Sequence, residues 1–190
     1  MVTSETEWRD GFRFAGGHPA LDLCATIRGR LKEKPSDTLQ TPEDLGRWLA
    51  ASGLAGTPPV VADPDLETAR QLREAVYALA LAATAGELLP PRPLAVLNDL
   101  ASGPAASLAL GADRSATLEG DARSFVGHVA GEAVRLLADR HGGVIRQCDG
   151  EGCAVLFHDQ SRARARRWCS MSVCGNRAKA AAFRERDRRG

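Results

Sequence analysis

Four cysteines near the C-terminus, Cys148, Cys153, Cys169 and Cys174, constrain what this chain can fold into more than any other feature. They fall as C-x4-C, a spacer of fifteen residues, then a second C-x4-C. Each close pair can bend round one side of a metal ion, and the spacer is long enough for a hairpin. The spacing therefore predicts one tetrahedral Zn2+ site. Four cysteine ligands close the coordination shell, so the zinc is expected to be structural rather than catalytic. Gly150 and Gly152 lie inside the first pair, where a tight knuckle needs them. Gly175 follows Cys174, and a positive φ there is expected to let backbone N–H groups approach a thiolate. From Asn176, read as a cap, the chain has helix-forming composition.

Charge is distributed unevenly around this cluster. Residues 161–190 hold ten Lys or Arg and two Asp or Glu, a net +8, whereas residues 1–160 carry a net −7. An acidic body with a basic tail fits a nucleic-acid binder, and equally a tail that docks on its own body or on a partner subunit. Arg162, Arg164, Arg166 and Arg167 precede the second cysteine pair, while Arg177, Lys179, Arg184 and Arg188 follow it. All eight are candidate phosphate or base contacts. Trp168, beside Cys169, is expected to pack against the metal site rather than to stack on a base.

The rest of the chain reads as a mainly α body. With 44% hydrophobic but only 5% aromatic residues, its core must consist mostly of Leu, Val and Ala. Residues 1–11 read as a loose polar start, followed by a short strand at Phe12–Phe14. Leu21, Cys24, Ile27 and Leu31 recur at helical spacing after Pro19. Thr41-Pro42-Glu43-Asp44 is a helix start with a capping hydroxyl, and Asp63-Pro64 opens a longer helix that Gly86 stops. A shorter helix carries Leu94, Leu97 and Ala101. Residues 107–110 and 116–118 can pair as a hairpin, and Asp121 caps a helix running to about Arg140, which His141-Gly142-Gly143 ends. The expected fold class is α+β, mainly α: a helical domain over 1–142 with a short hairpin, then a treble-clef-like zinc finger over 143–190.

No run approaches the length of a membrane-spanning helix and the first residues are polar, so a cytoplasmic location without a membrane partner is expected. Clustered cysteines in a reducing compartment favour metal over disulfides. His18, Asp22 and Cys24 lie near the Gly16-Gly17 turn, where a His–Cys pair can mark a nucleophile or a metal ligand. The plainer reading is a loop histidine, a capping carboxylate and a core cysteine. No phosphate-binding glycine loop, dinucleotide fingerprint or serine elbow is present, and no enzyme is expected.

Two segments resemble known families. Phe157-His158-Asp159, Arg166-Arg167-Trp168-Cys169-Ser170-Met171 and Cys174-Gly175-Asn176-Arg177-Ala178-Lys179 resemble the CGNR zinc finger over roughly residues 144–186. The resemblance implies zinc on the same four cysteines. Gly16-Gly17, Leu21-Asp22-Leu23, Thr26, Arg30, Leu39, Thr41 to Leu45 and Trp48-Leu49 resemble the ABATE domain that precedes this finger. One departure is Ala25-Thr26, where that family commonly has Asn-Thr. This architecture implies a stress-induced transcription regulator. DNA is then the expected partner of the finger. The N-terminal domain is expected to bind a small effector, with His18, Asp22 and Thr26 as candidate contacts, or to form a homodimer. A finger used only for protein–protein or interdomain packing is the alternative, and an enzyme built around His18 and Asp22 a more distant one.

Overall fold

A computed structural model describes residues 7–138 and 142–188. The first element is a hairpin, β1 (Glu7–Arg9) against β2 (Phe12–Phe14). Its turn is Asp10-Gly11 with both residues at positive φ, as a two-residue type I′ turn requires. The polar start expected for residues 1–11 is thus a strand from Glu7 onward. The Asp-Gly dipeptide is the signal that announces it. Phe12 and Phe14 point into the core and Arg13 to the other face.

The helix after Pro19 is shorter than its spacing predicts. α1 covers only Pro19–Cys24. Thr26 Oγ1 donates to Leu23 O at 2.6 Å, and the chain then leaves the helix to form β3 (Ile27–Arg28) against β4 (Ser36–Asp37). Ile27 and Leu31 are therefore not on a helical stripe, and Leu31 is 63% exposed. A threonine that back-bonds to the turn before it competes with helix continuation.

The remaining helices follow their sequence signals. α2 (Pro42–Ala51) begins with a complete capping box between Thr41 and Asp44. α3 (Asp63–Ala85) is the central helix and ends on Gly86 at φ +69. α4 (Pro91–Ser102) leads into the hairpin β5 (Ser107–Leu110) and β6 (Ala116–Glu119). Asp121 caps α5 (Ala122–Leu137) by accepting from Ser124 N; Arg140 and His141, its expected end, lie outside the described residues. α3, α4 and α5 pack on one another, and α1 lies against α3 and α5. Trp48, Leu21, Leu72, Leu79, Leu97 and Phe125 fill the core between them. Among the described residues no helix is long and apolar enough to cross a membrane.

The C-terminal part is a hairpin, β7 (Val144–Gln147) against β8 (Leu156–Asp159), then a loop, a five-residue wide turn at Met171–Gly175, and α6 (Asn176–Asp187). All four residues of β8 are buried. Strand alternation explains how: Leu156 joins the helical core, while Phe157 joins a second apolar cluster with Ala15, Cys148, Cys169 and Cys174. The expected class, mainly α with small hairpins and a finger of treble-clef type, is the one observed.

Candidate metal centre

The first cysteine pair sits in the connection between β7 and β8. Cys148 N donates to Val155 O and Cys153 N to Gly150 O, each at 2.9 Å, closing the knuckle. A Cβ on Gly150 would lie 3.1 Å from Cys174 Sγ and 3.4 Å from Cys148 Sγ, so a side chain there would crowd the sulfurs. Gly152 supplies the positive φ of the turn, at +67.

The second pair is arranged differently from expectation. Gly175 has a helical φ of −63, not a positive one. The cap is Ser170, whose Oγ accepts from Val173 N at 3.2 Å and whose backbone O accepts from Gly175 N at 3.0 Å. The wide turn this opens carries Cys174 and runs straight into α6. Asn176 therefore lies inside a continuous helical path, with its Nδ2 donating to Ser172 O, and does not cap it. Cys169 is held from behind by Arg166, which donates to its backbone O at 3.0 Å and lies over the Phe157 ring.

The four ligand atoms all lie within 4.8 Å of one another. Cys153 and Cys169 sulfurs are 3.9 Å apart, and those of Cys169 and Cys174 3.7 Å. A tetrahedral zinc with Zn–S bonds of ~2.3 Å has sulfur–sulfur edges of about 3.8 Å, so the cluster fits one structural zinc ion. Three of the cysteines are buried and Cys153 is half-buried. Cys148 Sγ accepts from Gly150 N at 3.4 Å and from Cys169 N at 3.3 Å, and Arg13 Nη2 donates to Cys169 Sγ at 3.1 Å. Thiols this close cannot all ionise unaided. A hydrogen bond to Cys153 pushes the Cys148 thiol up to about 11, while hydrogen bonds from Cys148 and Cys169 hold Cys153 low. Zinc supplies the charge that lets all four act as thiolates, and Arg13 offsets part of the −2 that remains.

The metal centre is built against the N-terminal body. His158 N donates to Gly16 O at 2.7 Å, and Ala15 and Trp168 pack with the cysteines. The expected packing of Trp168 beside the metal is thus present. Asp22, buried beneath this contact, accepts from Ala15 N at 2.9 Å and Gly16 N at 2.7 Å, which fixes the loop that receives β8. His18 Nδ1 accepts from Ala20 N to cap α1, and its ring meets His158 edge-on at 6.1 Å. Thr26 Oγ1 also accepts from the buried Arg73 at 3.2 Å. The three candidate effector contacts are all buried, and each makes a bond that shapes the body. Cys24 is a core cysteine whose thiol burial pushes to about 12.

Burial lifts the Asp22 carboxyl from 3.8 to about 6, against the pull of its backbone N–H donors. The folded state then binds the proton more tightly than the unfolded chain. The stability this gives is present at low pH and is lost as pH rises through about 6. Relative to Asp22→Asn, which cancels effects common to both chains, the protein should gain up to roughly 3 kcal/mol as pH falls from about 6 to about 4. Urea midpoints of the pair across that range measure it. A pH-independent difference would contradict the assignment.

The candidate nucleic-acid contacts separate into two groups. Arg166 is committed inside the finger, and Arg167 pairs with Asp149 at 2.8 Å and stacks on Trp168. Arg162, Arg164, Arg177, Lys179, Arg184 and Arg188 are exposed, Arg188 beside Glu185. Sequence reasoning missed Arg13; the alternation of Phe12-Arg13-Phe14 places it opposite the core but does not say what it meets.

With this geometry established, two family models match the chain. One, ABATE, is described as "putative stress-induced transcription regulator" and covers residues 17–140; the other, the CGNR zinc finger, covers residues 145–187. No curated protein matches.

Proposed function

The chain belongs to the ABATE family, and from that premise we propose that it regulates transcription by binding DNA through its CGNR zinc finger. One observation carries the reading: no residue of α6 is buried, and the helix packs chiefly on the turn before it. A basic helix docked on the acidic body would support a packing role. This helix instead presents Arg177, Lys179, Arg184 and Arg186 to solvent, with Arg188 just past its end, on a rod anchored at one end by Cys174. Phosphate attraction supplies affinity, and base edges supply whatever selectivity the finger has.

The helical body has the regulatory part in this proposal. It holds a small effector and pairs two copies of the chain in the cytoplasm. Leu108 and Leu110, exposed on one face of the β5–β6 hairpin, support pairing, and sedimentation would read it as a dimer. No catalytic step is assigned to His18 or Asp22. A protein partner on α6 is the second reading, because Phe183 stands 62% exposed among the arginines.

Fluorescence anisotropy with genomic DNA fragments over a salt series separates the two. Affinity should fall steeply between about 50 and 200 mM salt, with log K against log salt sloping about −0.9 per phosphate contact. Replacing Arg177, Lys179 and Arg184 by Gln should flatten the slope by up to about 2.7. Absence of binding at the lowest salt would overturn the DNA reading and favour a protein partner.

A further inference from the structure

A cleft of about 200 Å3 runs along the seam between the body and the finger. Five cations line it: Arg13, Arg28, Arg30, Lys32 and Arg177. No Asp or Glu lines it, although residues 1–160 carry a net −7. Two of the five are already matched. Arg13 donates to the Cys169 sulfur, and Arg30 makes two bonds to the Glu74 carboxylate, at 2.7 and 3.0 Å. The other three have no carboxylate at ion-pair distance among the described residues. Arg28 donates to Gly11 O and lies 4.7 Å over the Trp8 ring. Lys32 is set by a turn in which its N donates to Gly29 O at 2.8 Å; its stem lies where a Cβ on Gly29 would be. Arg177 enters from the first turn of α6.

Like charges gathered in one concave site repel one another and focus a positive field into it, which an anion relieves. The remaining wall is mostly apolar, with Trp8 and Ile27 from the body and Val155 and Val173 from the finger, but it also includes Cys153 and Cys174 of the metal centre, whose negative charge Arg13 partly offsets. At ~30 Å3 per water the cleft holds roughly seven waters, too little for a nucleotide and enough for a compact acid. Such an acid would find apolar contact at Ile27, Val155 and Val173 and cations in Arg28, Lys32 and Arg177.

We propose that this cleft binds a small organic anion, a carboxylate on a flat apolar body of about benzoate size, and that the bound anion opposes DNA binding. Binding itself follows from the cleft; its opposition to DNA rests on the regulator reading above. The link is Arg177, which faces the cleft and stands at the start of the helix assigned to DNA. An anion there removes positive charge from that helix, and the coupling is reciprocal.

The test uses the full zinc-loaded chain in calorimetric titrations with sodium benzoate, benzamide and inorganic phosphate. Benzoate should bind one site with Kd of about 1 mM or tighter, and benzamide and phosphate at least about tenfold more weakly. The double variant Arg28→Gln/Lys32→Gln, with zinc content and circular dichroism checked, should weaken benzoate about tenfold or more. In anisotropy titrations benzoate should lower DNA affinity of the parent chain and not of the variant. No saturable benzoate binding, equal binding of benzamide, or binding unchanged in the variant overturns the cleft assignment. Phosphate binding as tight as benzoate overturns it too, and makes the cleft an extension of a phosphate-binding surface. Benzoate binding that leaves DNA affinity unchanged overturns the coupling. A chain that binds benzoate but no DNA removes the regulator reading and leaves the cleft assignment standing.

Discussion

Chelating the zinc, or replacing Cys169 with Ser, is expected to unfold residues 144–188 and to loosen the N-terminal hairpin with them. Cys169 is the best-connected ligand. Its sulfur lies against those of Cys153 and Cys174 and receives Arg13, and its backbone N donates to the Cys148 sulfur. The apolar cluster of the finger is too small to replace the metal: besides cysteines it holds Ala15, Val155, Phe157 and Trp168. Structural zinc contributes about 10–16 kcal/mol of apparent binding free energy in small modules at neutral pH, more than any other single contribution here. The effect passes to the body because Leu156 completes the helical core and Ala15 the metal cluster. Zinc content, the emission of Trp168 and amide spectra of the finger measure it. A finger that keeps its amide spectrum in chelator would refute the structural role. Metal loss should also abolish DNA binding, since α6 is anchored chiefly through the turn that carries Cys174.

Arg73→Ala is expected to destabilise the body by about 3–5 kcal/mol. Arg73 is 4% exposed on α3. Its guanidinium meets the Asp37 carboxylate bidentately at 2.7 and 2.8 Å, Thr26 Oγ1 at 3.2 Å and Glu74 at 2.9 Å. Truncation leaves those acceptors behind and frees the β3–β4 segment from the central helix. Burial alone would raise the Asp37 carboxyl; the hydrogen bonds from Arg73 and Leu39 N, with the charges of Arg73 and Arg70, together outweigh it and hold the group below the usual carboxylate range. The stability that Asp37 contributes is accordingly present at neutral pH and lost as pH falls through its lowered range. Denaturant unfolding of Arg73→Ala, Asp37→Ala and the double variant isolates the pair. A loss under about 1 kcal/mol for Arg73→Ala would show that the contact does not hold the segment.

Particular residues show how far the sequence could be read. Thr41 and Asp44, Gly86 and Asp121 mark helix ends through bonds to backbone only a few residues away. Such local bonds form in the same way whatever surrounds them. Ile27 and Leu31 misled because a helical stripe is an argument about a face, and the face exists only if the helix continues. Thr26 ends it here with help from Arg73, forty-seven residues away. Asn176 misled for a related reason: Ser170 opens a wide turn that already makes the path helical before Asn176 is reached. Arg73 itself was legible in part, since it stands on the buried stripe of α3 between Ala69 and Val76. Its partners were not.

The sequence by itself determined the metal. Ligand type, pair spacing and the knuckle glycines are local properties, and they required a closed four-cysteine zinc site before any contact was known. It also determined the charge of the last helix. The tertiary structure decided what those properties face. It set the finger against the body through Ala15, Gly16 and Leu156, turned Arg13 toward a thiolate, and left α6 in solvent. It also gathered Arg28, Lys32 and Arg177 around one cleft. Those outcomes depend on residues more than a hundred positions apart meeting across a shared core. Spacing along the chain carries no information about which side of a packed element such residues will share.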